Sequence, residues 1–267
     1  MADGEAIPTV ILCGGRGTRI RDVGPPIPKP MVPIGGQPIL WHIMKIYAAQ
    51  GFSDFVLALG YLAPMIKEFF LHYEALTSDF TLELGRPESL TYLRRSPELG
   101  WRISCIDTGL DAQTGSRVRD AARDLPDGPI MVTYGDGVGN VDLPALLAFH
   151  RAHGRLVTLT TVRPPGRFGE LRMSDEHQVL AFEEKPQISS GAINGGFMIF
   201  EKEAIAHYIP ADDDVMLERE PLTRLVKDGQ VMAFQHDGFW QPVDTLRERD
   251  LLSNLWESGQ APWKIWA

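Results

Sequence analysis

A short apolar run near the N-terminus leads directly into a loop with three glycines and two arginines. The apolar run covers residues 7–12, and the loop reads Cys13-Gly14-Gly15-Arg16-Gly17-Thr18-Arg19. Glycine lets the backbone approach a ligand and present its N–H groups, while arginine offers cationic donors that match phosphate oxygens. Lys29 follows the loop and adds a further cation. A buried strand that opens into such a loop predicts an α/β fold that binds phosphate beyond the strand's carboxyl end.

The glycine spacing separates this loop from two common nucleotide-binding fingerprints. Gly14-Gly15-x-Gly17 lacks the G-x-G-x-x-G order of dinucleotide-binding folds, and no Gly-Lys-Ser/Thr of a P-loop occurs nearby. A plain turn after a strand is the structural alternative. Two arginines and a lysine in one short stretch have no packing role, which favours phosphate binding over a plain turn.

The charge balance limits the partners of the chain. Its 267 residues include 26 lysines and arginines against 35 aspartates and glutamates, which gives a formal net charge of −9. Nucleic acids and anionic membranes select basic surfaces, so the composition argues against both as main partners. A phosphorylated small molecule stays possible, because a local cationic pocket can form in an acidic protein.

The N-terminus and the two cysteines predict a cytoplasmic protein. Asp3 and Glu5 stand where a secretory signal would be basic and then apolar. No apolar run approaches the roughly 18 residues of a membrane-spanning helix. Cys13 and Cys105 lie in apolar runs without metal-ligand spacing, so both are expected to be buried, reduced thiols.

Apolar periodicity predicts strands that alternate with helices through the first two thirds of the chain. Such alternation is typical of a mainly parallel sheet with helices on both faces. Thr114 and Asp142 are predicted to cap the helices that follow them. Strands are predicted over residues 7–12, 54–59, 80–84, 103–106, 129–133, 156–162 and 231–235. Helices are predicted over residues 37–50, 62–73, 114–123, 143–153, 201–208, 221–227 and 244–258.

Two aspartates follow later apolar runs and predict a metal site. Asp136 lies in Thr133-Tyr134-Gly135-Asp136-Gly137, and Asp244 lies in Gln241-Pro242-Val243-Asp244-Thr245. Each has a structural alternative: Asp136 as a solvated acid in a turn, and Asp244 as the cap of the last helix. Two carboxylates that converge on a triphosphate suit Mg²⁺, which prefers one or two carboxylates plus phosphate oxygens.

Two further segments carry polar groups suited to a sugar phosphate. Lys185, in Glu183-Glu184-Lys185-Pro186, either projects toward a phosphate or belongs to a solvated charge cluster. Asn194, in Ile193-Asn194-Gly195-Gly196-Phe197, offers an amide for sugar hydroxyls, with a bulge or turn as the alternative. The two glycines that follow it, Gly195 and Gly196, allow close approach of a ligand.

These runs together resemble the sugar-1-phosphate nucleotidylyltransferase family. The N-terminal loop with Pro28-Lys29-Pro30 carries the resemblance to the family as a whole. Later runs are similar to its glucose-1-phosphate cytidylyltransferase branch, and they extend the resemblance over nearly the whole chain. These later runs are residues 39–45, 133–138, 164–169, 193–197 and 238–242.

The resemblance implies a single domain over residues 1–267 with a Rossmann-like nucleotidyltransferase fold. That fold has a mostly parallel, mixed central sheet with helices on both faces and a smaller β-rich part that binds the sugar. Residues 1–150 are expected mainly to bind nucleotide, and residues 151–267 mainly the sugar phosphate. The implied reaction joins CTP and α-D-glucose 1-phosphate into CDP-glucose and pyrophosphate with Mg²⁺ as cofactor. A homo-oligomer is also implied.

The resemblance also assigns residues by their positions in this sequence. The nucleotide is expected at Leu12, Gly14, Gly15, Arg16, Gly17, Thr18, Arg19, Lys29, Ala112, Arg117 and Gly135. The sugar phosphate is expected at Tyr134, Glu184, Lys185, Asn194, Gly195 and Trp240. Mg²⁺ is expected at Asp136 and Asp244. The residues expected to act in catalysis are Arg19, Lys29, Asp136 and Lys185.

Two alternative functions stay open. A transferase of the same mechanism could use dTTP, GTP or another phosphorylated substrate, and Ala112 stands where the family is expected to have a small hydroxyl residue. A non-catalytic binding homologue would be expected to lack one of the charged groups that handle phosphate and metal. This chain keeps all of them, namely Arg19, Lys29, Asp136, Lys185 and Asp244.

Overall fold

The computed structural model describes residues 7–15, 26–93, 98, 100–163, 170–173, 179–183 and 191–266, with the backbone alone for 170–173 and 179–183. The strands are β1 (Thr9–Leu12), β2 (Pro33–Ile34), β3 (Gln37–Pro38), β4 (Asp54–Leu59), β5 (Phe80–Glu83), β6 (Arg86–Tyr92), β7 (Arg102–Asp107), β8 (Pro129–Tyr134), β9 (Gly137–Gly139), β10 (Val157–Val162), β11 (Glu170–Met173), β12 (Val179–Glu183), β13 (Ile193–Asn194), β14 (Met198–Glu201), β15 (Val231–His236) and β16 (Trp240–Pro242). The helices are α1 (Ile39–Ala48), α2 (Ala63–Leu71), α3 (Tyr73–Thr77), α4 (Thr114–Ala122), α5 (Leu143–His153), α6 (Lys202–Tyr208), α7 (Glu220–Lys227) and α8 (Leu246–Glu257), with a 3₁₀ turn at Lys29–Met31.

The central sheet has the strand order β13-β10-β14-β8-β1-β4-β7, with β15 beside β10. The four strands β8, β1, β4 and β7 run parallel to one another, and β15 runs parallel to β10. β14 runs antiparallel to both of its neighbours, β8 and β10. The predicted mixed, mostly parallel sheet is therefore confirmed. Because the carboxyl ends of four parallel strands lie at one edge, the loops that follow them are gathered there.

Helices cover both faces of the sheet, as predicted. Side chains alternate along a strand, so Val10 and Ile11 of β1 point into two separate apolar clusters. The cluster around Ile11 packs against α1, α5 and α8, and the cluster around Val10 packs against α4, α6 and α7. Within the described segments, no helix has the length and apolar character needed to cross a membrane.

The helix boundaries follow the predictions with two corrections. Asp142 caps α5 as predicted, because its side chain accepts a hydrogen bond from the Ala145 N–H at 2.9 Å. Thr114 is not a cap: the cap position of α4 is Gln113, and Thr114 is the first helical residue. The helix predicted over 62–73 ends at Leu71 as α2, and a second helix that was not predicted, α3, follows His72 and runs to Thr77.

The C-terminal tail packs inside the chain through aromatic residues. Trp263 is fully buried, and its indole N–H donates to Nδ1 of His42 at 3.4 Å. The other ring nitrogen of His42 donates to the Ile34 carbonyl at 2.9 Å, so the neutral imidazole uses both nitrogens. Burial lowers the pKa of His42 to about 4, which keeps the ring neutral at physiological pH.

Candidate functional site

A cavity of about 360 Å³ lies at the carboxyl ends of β1, β7 and β8. The loop between β7 and α4, with the first residue of α4, forms one of its walls through residues 110–114, and only Ala112 among them was predicted to bind a ligand. The predicted site residues that line the cavity are Leu12, Gly14, Gly15, Lys29, Ala112, Arg117, Tyr134, Gly135 and Asp136. The predicted residues Arg16, Gly17, Thr18, Arg19, Glu184 and Lys185 lie outside the described side chains.

Lys29 connects the two predicted metal-binding carboxylates. Its ammonium group donates to Oδ2 of Asp136 and to Oδ1 of Asp244, the latter at 2.6 Å. The Lys29 side chain is only 16% exposed, against 30% for Asp136 and 27% for Asp244. Burial alone would lower the pKa of Lys29, but the carboxylates of Asp136 and Asp244 outweigh it and raise the pKa above its usual value. Lys29 therefore stays a cation, and both carboxylates converge on it.

Two short strands bring these carboxylates together. Asp136 follows β8 and precedes β9, while Asp244 follows β16, which pairs antiparallel with β9. The Val243 N–H donates to the Asp136 carbonyl at 2.8 Å and continues this pairing beyond the strands. The cap of α8 is Thr245, whose side chain forms a capping box with Glu248. The alternative that Asp244 caps the last helix is therefore wrong, and its carboxylate is available to Lys29.

The carboxylate pair fits a divalent cation by its chemistry. The Lys29 ammonium occupies the point where both carboxylates converge, so the site already holds one positive charge. In the described part of the chain, no group of three or more histidine, cysteine, aspartate or glutamate side chains is placed to hold a metal. A metal bound to Asp136 and Asp244 would complete its coordination with phosphate oxygens or water, which is the ligand set that Mg²⁺ prefers.

The Arg117 side chain connects three segments of the chain at the wall of the cavity. Its guanidinium is buried and donates to the carbonyls of Leu59 and Gly109, both at 2.9 Å, and of Gly14 at 3.3 Å. These carbonyls belong to the ends of β4 and β7 and to the glycine loop after β1. Burial lowers the pKa of Arg117, although nearby carboxylates oppose the shift. The structure therefore places this predicted nucleotide-binding residue where it shapes the cavity wall.

Substitution of Gly14 tests this arrangement, and Gly15 offers a matched control. A Cβ atom on Gly14 would overlap the Arg117 guanidinium, whereas a Cβ on Gly15 would meet nothing within 4 Å. We expect Gly14→Ala to lower the free energy of unfolding by about 1–3 kcal/mol through overpacking. Gly15→Ala should change it by less than about 0.5 kcal/mol. Urea unfolding of both variants measures the difference, and equal stabilities would contradict it.

The predicted sugar-side residues lie next to one another beside the end of β8. The indole N–H of Trp240 donates to the Gly195 carbonyl at 2.7 Å, and the amide of Asn194 donates to the Tyr134 hydroxyl at 3.3 Å. Phe197 has a φ of +47°, a strained value for a residue other than glycine. The Thr160 hydroxyl holds this turn by donating to the Phe197 carbonyl at 2.7 Å. Backbone strain at this position is consistent with a functional site.

One residue at the site was missed by the sequence analysis. Glu218 accepts hydrogen bonds from the hydroxyls of Tyr134 and Thr114, both at 2.6 Å. It lies in the acidic stretch between α6 and α7, where no motif distinguishes it from its acidic neighbours. Its role is visible only in the structure, where it contacts Tyr134, which is 84 positions away in the chain, and Thr114, which is 104 positions away.

Comparison with known proteins agrees with this geometry. The model of the nucleotidyl transferase family matches residues 8–248. The glucose-1-phosphate cytidylyltransferase of Salmonella typhi is 44% identical over 258 residues, which cover 96% of this chain and 98% of that protein. The probable glucose-1-phosphate cytidylyltransferase of Bacillus subtilis is 40% identical over 96% of this chain and 99% of that protein. HddC from Yersinia pseudotuberculosis, solved in complex with GMP-PN, has a TM-score of 0.68 at 22% identity and covers 94% of this chain and 99% of that structure.

Proposed function

Because the chain belongs to the nucleotidyl transferase family, we propose that it transfers the cytidylyl group of CTP to α-D-glucose 1-phosphate, forming CDP-glucose and pyrophosphate. The convergence of Asp136 and Asp244 beside the glycine-loop cavity carries the proposal. The choice of CTP and glucose 1-phosphate rests on the two relatives that share at least 40% identity over nearly the whole chain.

In the proposed complex, the nucleotide lies in the cavity at the carboxyl ends of the parallel strands. Residues 12–16 and the β7–α4 loop around Ala112 are assigned to the base and ribose, and Gly17, Thr18 and Arg19 to the triphosphate. Lys29 moves from the carboxylates toward the triphosphate, because its side chain also lines the cavity that takes the nucleotide. Asp136 and Asp244 would then hold Mg²⁺ in its place. When bound, this ion neutralises phosphate charge at the reacting centre.

The sugar phosphate lies, in this proposal, on the side of β8 that faces β14, whereas the nucleotide lies on the side that faces β1. Asn194, Gly195, Tyr134 and Trp240 face the sugar in this proposal, because they form one contiguous group at the strand end. Glu184 and Lys185 are assigned to the sugar phosphate by the resemblance, with Lys185 on its phosphate.

The reaction needs positioning and charge neutralisation rather than covalent catalysis. A phosphate oxygen of glucose 1-phosphate attacks the α-phosphorus of CTP, and pyrophosphate leaves on the opposite side. A phosphate monoester is already a nucleophile at neutral pH, so no general base is required. The task of Arg19, Lys29 and Lys185 is therefore to bring two polyanions together.

Pyrophosphate release tests the proposal directly. The purified protein is assayed with Mg²⁺ and four nucleoside triphosphates, including CTP, dTTP and GTP, against a panel of sugar 1-phosphates. We expect the highest kcat/KM for CTP with glucose 1-phosphate. A higher value for dTTP, GTP or another sugar phosphate would replace the proposed substrates, and no release from any pair would indicate the non-catalytic homologue.

We also propose a cytoplasmic homo-oligomer. The hairpin of β5 and β6 carries large apolar side chains that stay exposed in the single chain, including Phe80 at 44% and Leu84 at 93%. Contiguous exposed apolar side chains are typical of protein interaction surfaces. Both cysteines are free thiols, which supports the reducing compartment predicted from the sequence. Cys13 is buried as expected, whereas Cys105 is only half-buried.

A further inference from the structure

The acidic segment, residues 210–219, is bound along the start of α4. The Gly115 N–H donates to the Val215 carbonyl at 2.9 Å, and the Gln113 N–H donates to Oδ1 of Asp214 at 2.8 Å. Leu217 is fully buried in the core and anchors the segment beside the cavity. The segment therefore has a defined position relative to the β7–α4 loop that lines the proposed nucleotide site.

Glu218, which directly follows this anchor, lies between the two halves of the proposed site. One carboxylate oxygen accepts from the Thr114 hydroxyl and the other from the Tyr134 hydroxyl, each at 2.6 Å. The Tyr134 hydroxyl in turn accepts from the Asn194 amide at 3.3 Å. A continuous hydrogen-bond chain thus runs from the nucleotide-side wall to the sugar-side residues, and Glu218 is its only charged member.

We propose that Glu218 is a positioning residue for the sugar 1-phosphate site, and that it acts by fixing the direction of the Tyr134 hydroxyl. The proposal rests on the proposed function, since it takes Tyr134 and Asn194 as sugar-facing residues. It extends that function to a residue in a segment to which no motif assigns a role.

The effect falls on Tyr134 rather than on Thr114, because Thr114 has other support. The Thr114 hydroxyl also accepts from the Leu217 N–H at 2.9 Å, and the backbone around it is held by the acidic segment. The Tyr134 ring stands on the last residue of β8, and its hydroxyl depends on Glu218 as the acceptor of its proton. The short distance of 2.6 Å shows that the phenol donates its proton to this carboxylate. Without Glu218, the Tyr134 hydroxyl can rotate, and its hydrogen bond from the Asn194 amide is weakened.

Two substitutions of Glu218 separate hydrogen bonding from charge. Glu218→Ala removes both acceptor oxygens and should raise the KM for glucose 1-phosphate about tenfold. A change of this size corresponds to the loss of one charge-assisted hydrogen bond. Glu218→Gln keeps an oxygen for the Tyr134 hydroxyl and an amide that can donate to Thr114, so its KM should return to within about threefold of wild type. In both variants kcat and the KM for CTP should stay within about threefold, because the residue touches neither the triphosphate nor the carboxylate pair.

A double-mutant cycle and a neighbouring carboxylate complete the test. Tyr134→Phe should raise the same KM, and combining it with Glu218→Ala should add almost nothing, because both changes remove one interaction. Glu220→Gln, an exposed carboxylate 3.9 Å from Arg224, should leave the KM unchanged. Wild-type turnover, measured first in the same assay, tests the proposed function separately.

With turnover established, three results would each overturn the role of Glu218. They are an unchanged KM in Glu218→Ala, a Glu218→Gln variant as impaired as Glu218→Ala, and additive effects in the double mutant. A fall in melting temperature that accounts for a loss of kcat would also overturn it, since it would show a structural role alone.

Discussion

Replacement of Asp136 by asparagine is expected to lower kcat by about three orders of magnitude while the fold is kept, because several kcal/mol of charge stabilisation at the reacting phosphates is lost. Asparagine has the same size and keeps one acceptor oxygen, so Lys29 retains partners at both Asp244 and position 136. What it loses is the negative charge that the proposed Mg²⁺ requires. Pyrophosphate release under saturating substrates measures the effect.

The matched control for this variant is Asp237→Asn. Asp237 is exposed, and its two carboxylate oxygens accept hydrogen bonds from the Gln235 amide at 2.9 and 3.1 Å. Asp237→Asn should therefore leave kcat unchanged. A rate for Asp136→Asn close to that of wild type would show that Asp136 does not hold a catalytic metal, whatever the substrates are.

Removal of the Lys29 charge should have two opposite effects. Lys29→Met is expected to lower kcat by a hundredfold or more, because a cation that stabilises the transferring phosphates is missing. The same variant should bind Mn²⁺, a probe for Mg²⁺, about tenfold more tightly in the absence of nucleotide. The physical reason is that the ammonium no longer competes with the metal for Asp136 and Asp244. Calorimetric titration of the nucleotide-free protein with Mn²⁺ measures the second effect independently of turnover.

Lys45 provides the control for Lys29, because its side chain is also 16% exposed and also pairs with a carboxylate. Its ammonium lies 2.7 Å from Glu98, away from the Asp136 and Asp244 pair. Lys45→Met should lose stability, since it removes the ammonium partner of the buried Glu98 carboxylate, but Mn²⁺ affinity should stay unchanged. Weaker Mn²⁺ binding by Lys29→Met than by wild type would contradict the exchange of lysine for metal.

The fold could be predicted from sequence wherever burial alone determines the pattern. β4 was predicted at its observed bounds, because its residues are almost all in the core. Capping was predictable at Asp142, because the donor to its side chain, the Ala145 N–H, lies only three residues away. It failed at Thr114, because that hydroxyl is used by Glu218 and by the Leu217 N–H, about a hundred residues away. A local preference cannot anticipate a competing partner brought by the tertiary fold.

The site was predictable as a set of chemical groups but not as an arrangement. The sequence left Asp244 open between helix cap and metal ligand, because Thr245 beside it can cap equally well. The pairing of β9 with β16 decides the question, and two strands of three residues carry too weak a signal to predict. The contact of Lys29 with both carboxylates could not be predicted either, because it joins positions that are 107 and 215 residues apart in the chain.

The pairing of β9 with β16 also sets an order of events during protein synthesis. β1, β4 and β8, which are neighbouring parallel strands of the central sheet, are translated well before β16 and Asp244. A growing polypeptide therefore exposes the glycine loop, Lys29 and Asp136 long before the second carboxylate leaves the ribosome. Until then Lys29 has one of its two carboxylate partners, and the proposed metal site is half formed. A nascent chain can thus build the parallel part of its sheet while it remains unable to carry out nucleotidyl transfer.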